Sequence, residues 1–234
     1  GRQKVSRLLI NCRDLSYRAW EEEQDPYQSE SVIWDLRQLN WNVEAGERVS
    51  FIYEDEEQKQ VFWRLLLNKL KPKSGLLEIQ SGVLVYSDEM LWTRARANVG
   101  LEENLKSKLF ETQPWLNQRR VPLIQLYDRV GLSGRALKTP LADLPPHDQL
   151  KAWLIMLMAA RVKVWLVERL FQQTQGENLK LIMEWLAGFQ GAWIFFERDG
   201  QTKEEKLNSV MTSFVHLHRN GTFTEQTANA GSGV

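Results

Sequence analysis

The segment from residue 46 to 75 constrains the fold of this chain more than any other. A short apolar run at 49–52 has the length of a strand. After a polar stretch at 53–60, apolar residues recur with the spacing of one helix face, at Val61, Phe62, Leu65, Leu66 and Leu70. Pro72 and Gly75 predict the end of that helix. The segment is therefore predicted to form a strand, a turn and a helix.

Short apolar strands and longer apolar helices alternate through the rest of the chain. Strands are predicted at 7–17, 32–43, 76–79, 83–86, 163–167, 192–196 and 214–218. Helices are predicted at 121–130, 149–160 and 177–188, and the second of these is apolar almost all round, which indicates burial. An Asn-Gly pair at 220–221 predicts a terminal hairpin.

Composition excludes several classes of protein. The 30 basic and 30 acidic residues balance, and no long basic run indicates a nucleic-acid partner. The single Cys12 rules out an intramolecular disulfide framework and fits a reducing compartment. No apolar run approaches the ~20 residues of a membrane span, and no signal-peptide core is present, so we expect membrane contact to be peripheral or through a partner. Residues 228–234 are predicted to be a flexible tail.

The strand-turn-helix segment resembles the ATPase subunit of an ABC transporter around its Walker A loop. Gly46-Glu47-Arg48-Val49 is similar to the turn and strand before that loop, and Lys71-Pro72-Lys73-Ser74-Gly75 is similar to the "KPTSG" after its helix. An ungapped count places Lys59 at the phosphate-binding lysine. The pattern G-x-x-x-x-G-K-[ST] would require glycines and a hydroxyl residue at the three positions occupied by Tyr53, Gln58 and Gln60.

These replacements bear on nucleotide binding. In the family, the glycines let backbone N–H groups close around the phosphates, and the hydroxyl holds Mg²⁺. Here four carboxylates, at 54–57, stand where a triphosphate would lie. Because a helix N-terminus attracts anions, we expect Glu56 or Glu57 to occupy the phosphate position and to pair with Lys59. The alternative is a solvated acidic turn.

Other positions of the family's nucleotide site are also altered. The resemblance places Asp88 at the glutamine that ligates Mg²⁺ and senses the permease, and Glu168 at the Walker B aspartate. Arg169 falls on the catalytic glutamate, and a cation cannot act there as a general base. Arg198 falls on the histidine that contacts the γ-phosphate. Asp88 could bind a metal or could simply be solvated.

The signature motif "LSGGQ" of the family is lost as well. Leu144 matches its first residue, and Pro145-Pro146-His147-Asp148 stand at the next four positions. Prolines have no N–H to offer a phosphate. Asp148 adds a charge of the wrong sign, and we expect it to cap or charge the first turn of a helix.

The resemblance implies a fold and a domain division. The fold class is α/β, with an ABC-type P-loop NTPase-like core of mixed sheet and flanking helices. The core, with its N-terminal β-subdomain, would comprise 1–87 and 163–227, and a helical subdomain would be inserted at 88–162. Residues 96–105 resemble the entry to that subdomain, where the family receives its permease. The permease-interface candidates are Met90, Leu91, Trp92 and Val99.

The implied function is that of a non-hydrolysing pseudo-ATPase subunit. It would dock a membrane permease at the inner face of the cell membrane and pair with an active ABC ATPase or with a second copy of itself. Neither ATP nor Mg²⁺ is expected to bind. No metal site is predicted, because His216 and His218 share a strand face with no third His or Cys nearby in sequence.

Two other interpretations stay open. One is a residual nucleotide sensor that uses Lys59, Glu168 and Arg198. The other is a soluble adaptor that kept the fold as a protein-binding platform. Burial of the apolar patch at 90–92 would argue against a permease groove.

Overall fold

The structure is a computed structural model, and it describes residues 8–18, 35–106, 127–128, 130–160, 162–168, 177–200 and 208–228. The chain divides into two compact units, residues 1–85 with 191–234 and residues 86–190. Among the described residues, no helix combines the length and apolar character needed to cross a membrane. The predicted limits of the helical subdomain, 88–162, stay a prediction.

The first unit contains an antiparallel sheet with strand order β2-β1-β4. Its strands are β1 (Leu8–Tyr17), β2 (Leu36–Glu44) and β4 (Ser74–Ile79). Buried and exposed residues alternate along most of β2, as in a strand with one face on a core. Gly75 has φ +78°, and an added Cβ would lie 2.1 Å from the carbonyl oxygen of Asp14, so this close approach requires glycine.

The first unit also contains four strands in the order β7-β3-β8-β9. They are β3 (Arg48–Tyr53), β7 (Ala192–Arg198), β8 (Ser213–Leu217) and β9 (Phe223–Thr227). Strand β3 pairs in parallel with β7 and β8, whereas β8 and β9 form an antiparallel hairpin. Gly221 has φ +83°, as the Asn-Gly turn demands.

Helix α1 (Glu56–Leu66) follows β3 and packs its aromatic face on the strands. The ring of Phe62 stacks on that of Phe51 with centroids 5.0 Å apart. The prediction from apolar spacing placed the start of this helix after residue 60, which is wrong. Asp55 caps the helix by accepting a hydrogen bond from the Gln58 N–H at 3.0 Å. The acidic residues that follow it suit the N-terminal end of the helix dipole.

The second unit is mainly helical. Strand β5 (Val85–Ser87) leads into it and neighbours β6 (Val164–Val167). The helices are α2 (Asp88–Arg94), α3 (Leu101–Asn104), α4 (Gly134–Lys138), α5 (Pro146–Ala159) and α6 (Glu177–Gly188). A 3₁₀ turn, Leu141–Asp143, precedes α5. From Ala152 to Ala159 every residue of α5 is buried, which confirms the prediction of a buried helix.

Candidate functional site

The turn between β3 and α1 places a buried cation beside a carboxylate. The side chain of Lys59 is only 1% exposed, and its Nζ lies 2.7 Å from Oε1 of Glu56. The same ammonium lies 5.3 Å from the ring centroids of both Tyr53 and Trp63. The predicted pairing of Lys59 with a loop carboxylate is therefore confirmed, and Glu56 supplies the carboxylate. The alternative of a solvated acidic turn holds in part, because Glu56 is 50% exposed and Glu57 is exposed.

The carboxylate of Glu56 accepts hydrogen bonds from several neighbouring side chains. Nε2 of Gln60 donates to Glu56 Oε1 at 3.3 Å. Partial burial raises the pKa of Glu56, but hydrogen bonds from Lys59, Tyr53 and Gln60 together with the Lys59 charge outweigh it, so the net pKa lies below the usual value. Three of the positions that would bind phosphate and Mg²⁺ in the resembled family, Tyr53, Lys59 and Gln60, thus bond to one carboxylate of the chain itself.

The same turn is tied to the β8–β9 hairpin. The buried Gln58 donates from Nε2 to the carbonyl oxygen of Arg219 at 2.6 Å. Glu54 accepts a hydrogen bond from the Arg219 N–H. The Asp199 N–H, just after β7, donates to the carbonyl oxygen of Tyr53 at 2.7 Å. These hydrogen bonds connect the turn between β3 and α1 to the residues that follow β7 and β8.

Arg198 ends β7 and is exposed there. Its Cα pairs with that of Tyr53 in the parallel register. The structure therefore brings Tyr53, Gln58, Lys59, Gln60 and Arg198 to one end of the parallel strands of the first unit.

Asp88 and Glu168 meet inside the second unit. Asp88 is fully buried at the first position of α2, and both of its carboxylate oxygens lie 3.2 Å from the Glu168 backbone nitrogen. The interpretation of Asp88 as a solvated turn residue is wrong, because the chain end of β6 supplies an N–H for it. Ser87 caps α2 through the Met90 N–H at 3.0 Å. Arg169 lies outside the described residues.

The segment at the signature position begins α5. Pro145 is the N-cap residue and Pro146 the first helical residue, and both are exposed. Asp148 lies in the first turn, 3.9 Å from Lys151 Nζ, so it charges the helix start rather than capping it. His147 is exposed beside it. Two prolines in succession leave this helix start with fewer N–H donors than an ordinary one.

No protein-family model and no curated protein matches the sequence. Solved structures match it closely in fold. The ADP conformation of an ATP-binding cassette of an ABC transporter superposes with a TM-score of 0.65 at 9% identity, covering 94% of this chain and 91% of that one. The fold is that of an ATP-binding cassette.

Two further cassettes give the same result. CbiO1 from Clostridium perfringens, part of the ABC transporter complex CbiONQ, has a TM-score of 0.64 at 11% identity, covering 94% of this chain and 88% of that one. A dimeric post-hydrolysis cassette bound to ADP and Pi has a TM-score of 0.62 at 13% identity, covering 94% and 98%. At such low identity the likeness establishes the cassette fold and nothing finer.

Within this cassette fold, the four permease-interface candidates differ in exposure. Leu91 is 1% exposed, so its side chain lies in the core of the second unit. Trp92 packs edge-on against Trp153 of α5, with centroids 5.4 Å apart, and is half-buried. Met90 and Val99 are also half-buried. Three of the four thus keep some accessible surface, and their role as a permease interface stays a prediction.

Proposed function

We propose that this chain is a non-hydrolysing cassette subunit of an ABC transporter. It docks a membrane permease and pairs with an ATPase subunit, in a structural or regulatory role. The observation that carries the proposal is the ion pair between Lys59 and Glu56, at 2.7 Å, in the turn that resembles a phosphate-binding loop. A lysine already bonded to an internal carboxylate has to lose that bond before it can meet a phosphate.

The electrostatics of the turn oppose nucleotide binding. A phosphate oxygen about 4 Å from Glu56 would meet a repulsion of about 4 kcal/mol at an effective dielectric of 20, before solvent screening reduces it. The lowered pKa of Glu56 keeps that carboxylate ionised at neutral pH. Side chains at Tyr53, Gln58 and Gln60 occupy space that glycines and a small hydroxyl residue leave open in the resembled family. We therefore propose that neither ATP nor Mg²⁺ binds.

The proposed loss of hydrolysis rests on three other residues, in two segments. By sequence, Arg169 replaces the carboxylate that would polarise water, and a guanidinium cannot accept a proton there. Pro145 and Pro146 remove N–H donors from the segment that would meet a partner's γ-phosphate. In a dimer of two cassettes, each nucleotide would be held by the turn of one chain and the signature of the other, so this chain would impair both sites.

The partners in this proposal come from the structural neighbours. One neighbour is part of an ABC transporter complex and another is a cassette dimer. By analogy, we infer a permease partner, a second cassette, and a position at the inner face of the cell membrane through the permease. The balanced charge of 30 basic and 30 acidic residues gives no support to a nucleic-acid partner.

Purification from the native membrane tests the proposal. The tagged chain is extracted with a mild detergent, and its stoichiometric partners are identified by mass spectrometry. A permease together with a second cassette that has complete nucleotide motifs is the expected result. Recovery of a permease with this chain alone would contradict the pairing, and the absence of any membrane protein would contradict the transporter role.

A soluble adaptor is the second candidate, and one observation favours it. Leu91 is buried and Trp92 packs on Trp153, so much of the apolar patch at 90–92 is used inside the chain. An adaptor would yield a soluble protein partner in the same purification. A residual nucleotide sensor would instead bind Mg-ATP tightly and lose that binding in K59A.

A further inference from the structure

Two histidines and a glutamate meet where strands β3 and β8 end in the first unit. In the parallel register, the Cα of Ile52 on β3 pairs with that of His216 on β8. Side chains two residues apart on a strand share a face, so Glu54 and His218 follow on the same side. One ligand atom from each of Glu54, His216 and His218 lies within 4.8 Å of the other two.

The ring nitrogen Nε2 of His216 is buried. Within the part of the chain that the structure describes, it has no hydrogen-bond partner. The nearest carboxylate oxygen, Oε1 of Glu54, lies 3.7 Å away. Leaving a buried ring nitrogen unsatisfied costs about 1–3 kcal/mol, so a group that bonded to both of these atoms would be stabilising.

Each of the three side chains also makes contacts outside this group or with another member of it. The rings of His216 and His218 stack with centroids 4.3 Å apart at 13°. Nε2 of His218 lies 3.0 Å from Oγ1 of Thr224 on β9, and Glu54 Oε2 accepts from the Arg219 N–H. Hydrogen bonds of this kind orient the ligands of metal sites and set which atom faces the ion.

We propose that Glu54, His216 and His218 form a binding site for a divalent transition metal, with Zn²⁺ as the ion that fits best. Two imidazoles and one carboxylate are ligands that Zn²⁺ accepts at about 2.0–2.2 Å, with water in the fourth position. Ligand atoms of such a tetrahedral ion stand about 3.4 Å apart, against up to 4.8 Å here, and the ion lies in the plane of each imidazole. Binding therefore requires the rings of His216 and His218 to rotate out of their parallel stack. Mg²⁺ and Ca²⁺ are disfavoured because they select oxygen ligands.

The metal would join the turn between β3 and α1 to the end of strand β8. Glu54 belongs to the segment between β3 and α1, whereas both histidines belong to β8 and the residue after it. An ion bound to all three would fasten this segment to the β8–β9 hairpin, next to the hydrogen bonds from Arg219 and Gln58. The site is separate from the Lys59–Glu56 pair. A result for or against metal binding therefore does not decide the proposed transporter role.

Zinc titration of the full chain without a histidine tag tests this site. The protein is stripped with a chelator, dialysed, and titrated with Zn²⁺ in competition with a chromophoric chelator. One equivalent of Zn²⁺ is expected to bind, and Co²⁺ is expected to give the visible absorption of a tetrahedral complex. E54Q, H216A and H218A should each weaken binding by about 100-fold or more, since loss of even an outer-sphere partner costs 10–100-fold. His147 is the third histidine of the chain, and H147A is the matched control that should bind as wild type.

Thermal unfolding gives a readout that does not depend on the competitor. Zn²⁺ at about 100 times its Kd should raise the Tm of wild type and H147A by roughly 5–10 °C. The Tm of E54Q should not change when Zn²⁺ is added. Because glutamine has the size of the native side chain, E54Q can still be measured if a histidine variant does not fold. No Zn²⁺ bound at micromolar concentration, or wild-type affinity in E54Q or H218A, would overturn the site and leave a metal-free contact between Glu54 and His216.

Discussion

Replacing Glu56 by glutamine tests whether Lys59 depends on an internal anion. The substitution keeps the size of the side chain and removes its charge. In the native chain Lys59 is 1% exposed, with the rings of Tyr53 and Trp63 beside it. The buried ammonium then loses its 2.7 Å bond to the Glu56 carboxylate, so we expect E56Q to lower the free energy of unfolding.

The magnitude follows from the burial of the two partners. Breaking a fully buried ion pair costs about 3–5 kcal/mol, because a charge is left without compensation. Glu56, however, is 50% exposed, and solvent screens the pair. A hydrogen bond to a charged group contributes about 1.5–3 kcal/mol, so with screening we expect a loss of about 1–2 kcal/mol. For a chain of this length, that loss lowers the Tm by roughly 2–8 °C.

Glu57 provides the matched control. It lies in the same first turn of α1 and is exposed, so E57Q removes the same favourable charge from the helix N-terminus. The difference between E56Q and E57Q in urea unfolding isolates the contact with Lys59. In the double variant E56Q/K59M the buried ammonium is gone, so E56Q should cost little there. Equal stability of E56Q and E57Q would refute the internal-anion reasoning.

The pH dependence gives a second measurement of the same pair. Because the pKa of Glu56 is lowered in the folded chain, the unfolded chain takes up a proton at higher pH than the folded one does. The stabilisation is therefore complete above the ordinary value of 4.5 and is lost as the pH falls below it. The unfolding free energies of wild type and E56Q should converge in acid, and a constant difference down to low pH would contradict the assignment.

Three further predictions concern the frame of the fold. Burial raises the pKa of Cys12 to about 12, so the native thiol should resist a maleimide at pH 8 and react only in denaturant. The free energy of unfolding should fall as the pH rises above 9.0, because the thiol then ionises in the unfolded chain but not in the folded one. G75A should cost about 3 kcal/mol or more in urea unfolding because its Cβ would meet Asp14, whereas G82A, with φ +80° in open space, should cost about 1 kcal/mol. N104A should cost about 2–3 kcal/mol, since the buried Asn104 amide bonds four backbone groups of residues 96–100, and a loss below 0.5 kcal/mol would count against that role.

Local sequence patterns predicted most of the elements. The bounds of α6 were predicted as the structure has them, because a glycine and a periodic apolar face mark that helix. The start of α1 was missed, because apolar spacing cannot detect a helical turn made of charged residues. The signal was present in Asp55, an N-cap residue followed by two glutamates.

The missed parts of the sites all depend on partners that are distant in sequence. From sequence alone Asp88 is interpreted as a turn residue, because its partner, the backbone N–H of Glu168, lies 80 residues away. His216 and His218, at the end of β8, have a third candidate ligand only because the parallel pairing with β3 places Glu54 beside them. Periodicity predicts each strand, but strand order and register decide which side chains meet. The Lys59–Glu56 pair could be predicted because both residues lie close in sequence and a helix N-terminus with a lysine attracts a carboxylate.

The acidic turn also bears on how a cassette fold could persist without nucleotide. A phosphate-binding loop gathers a helix N-terminus and a lysine, and both are positive. With no anion present, a buried ammonium would be an uncompensated charge costing several kcal/mol. Glu56 removes that cost from within the chain, while Asp55 satisfies the helix start. In our proposal, the carboxylates that exclude a triphosphate are therefore also the groups that stabilise the loop without it, and loss of nucleotide binding is compatible with an intact fold.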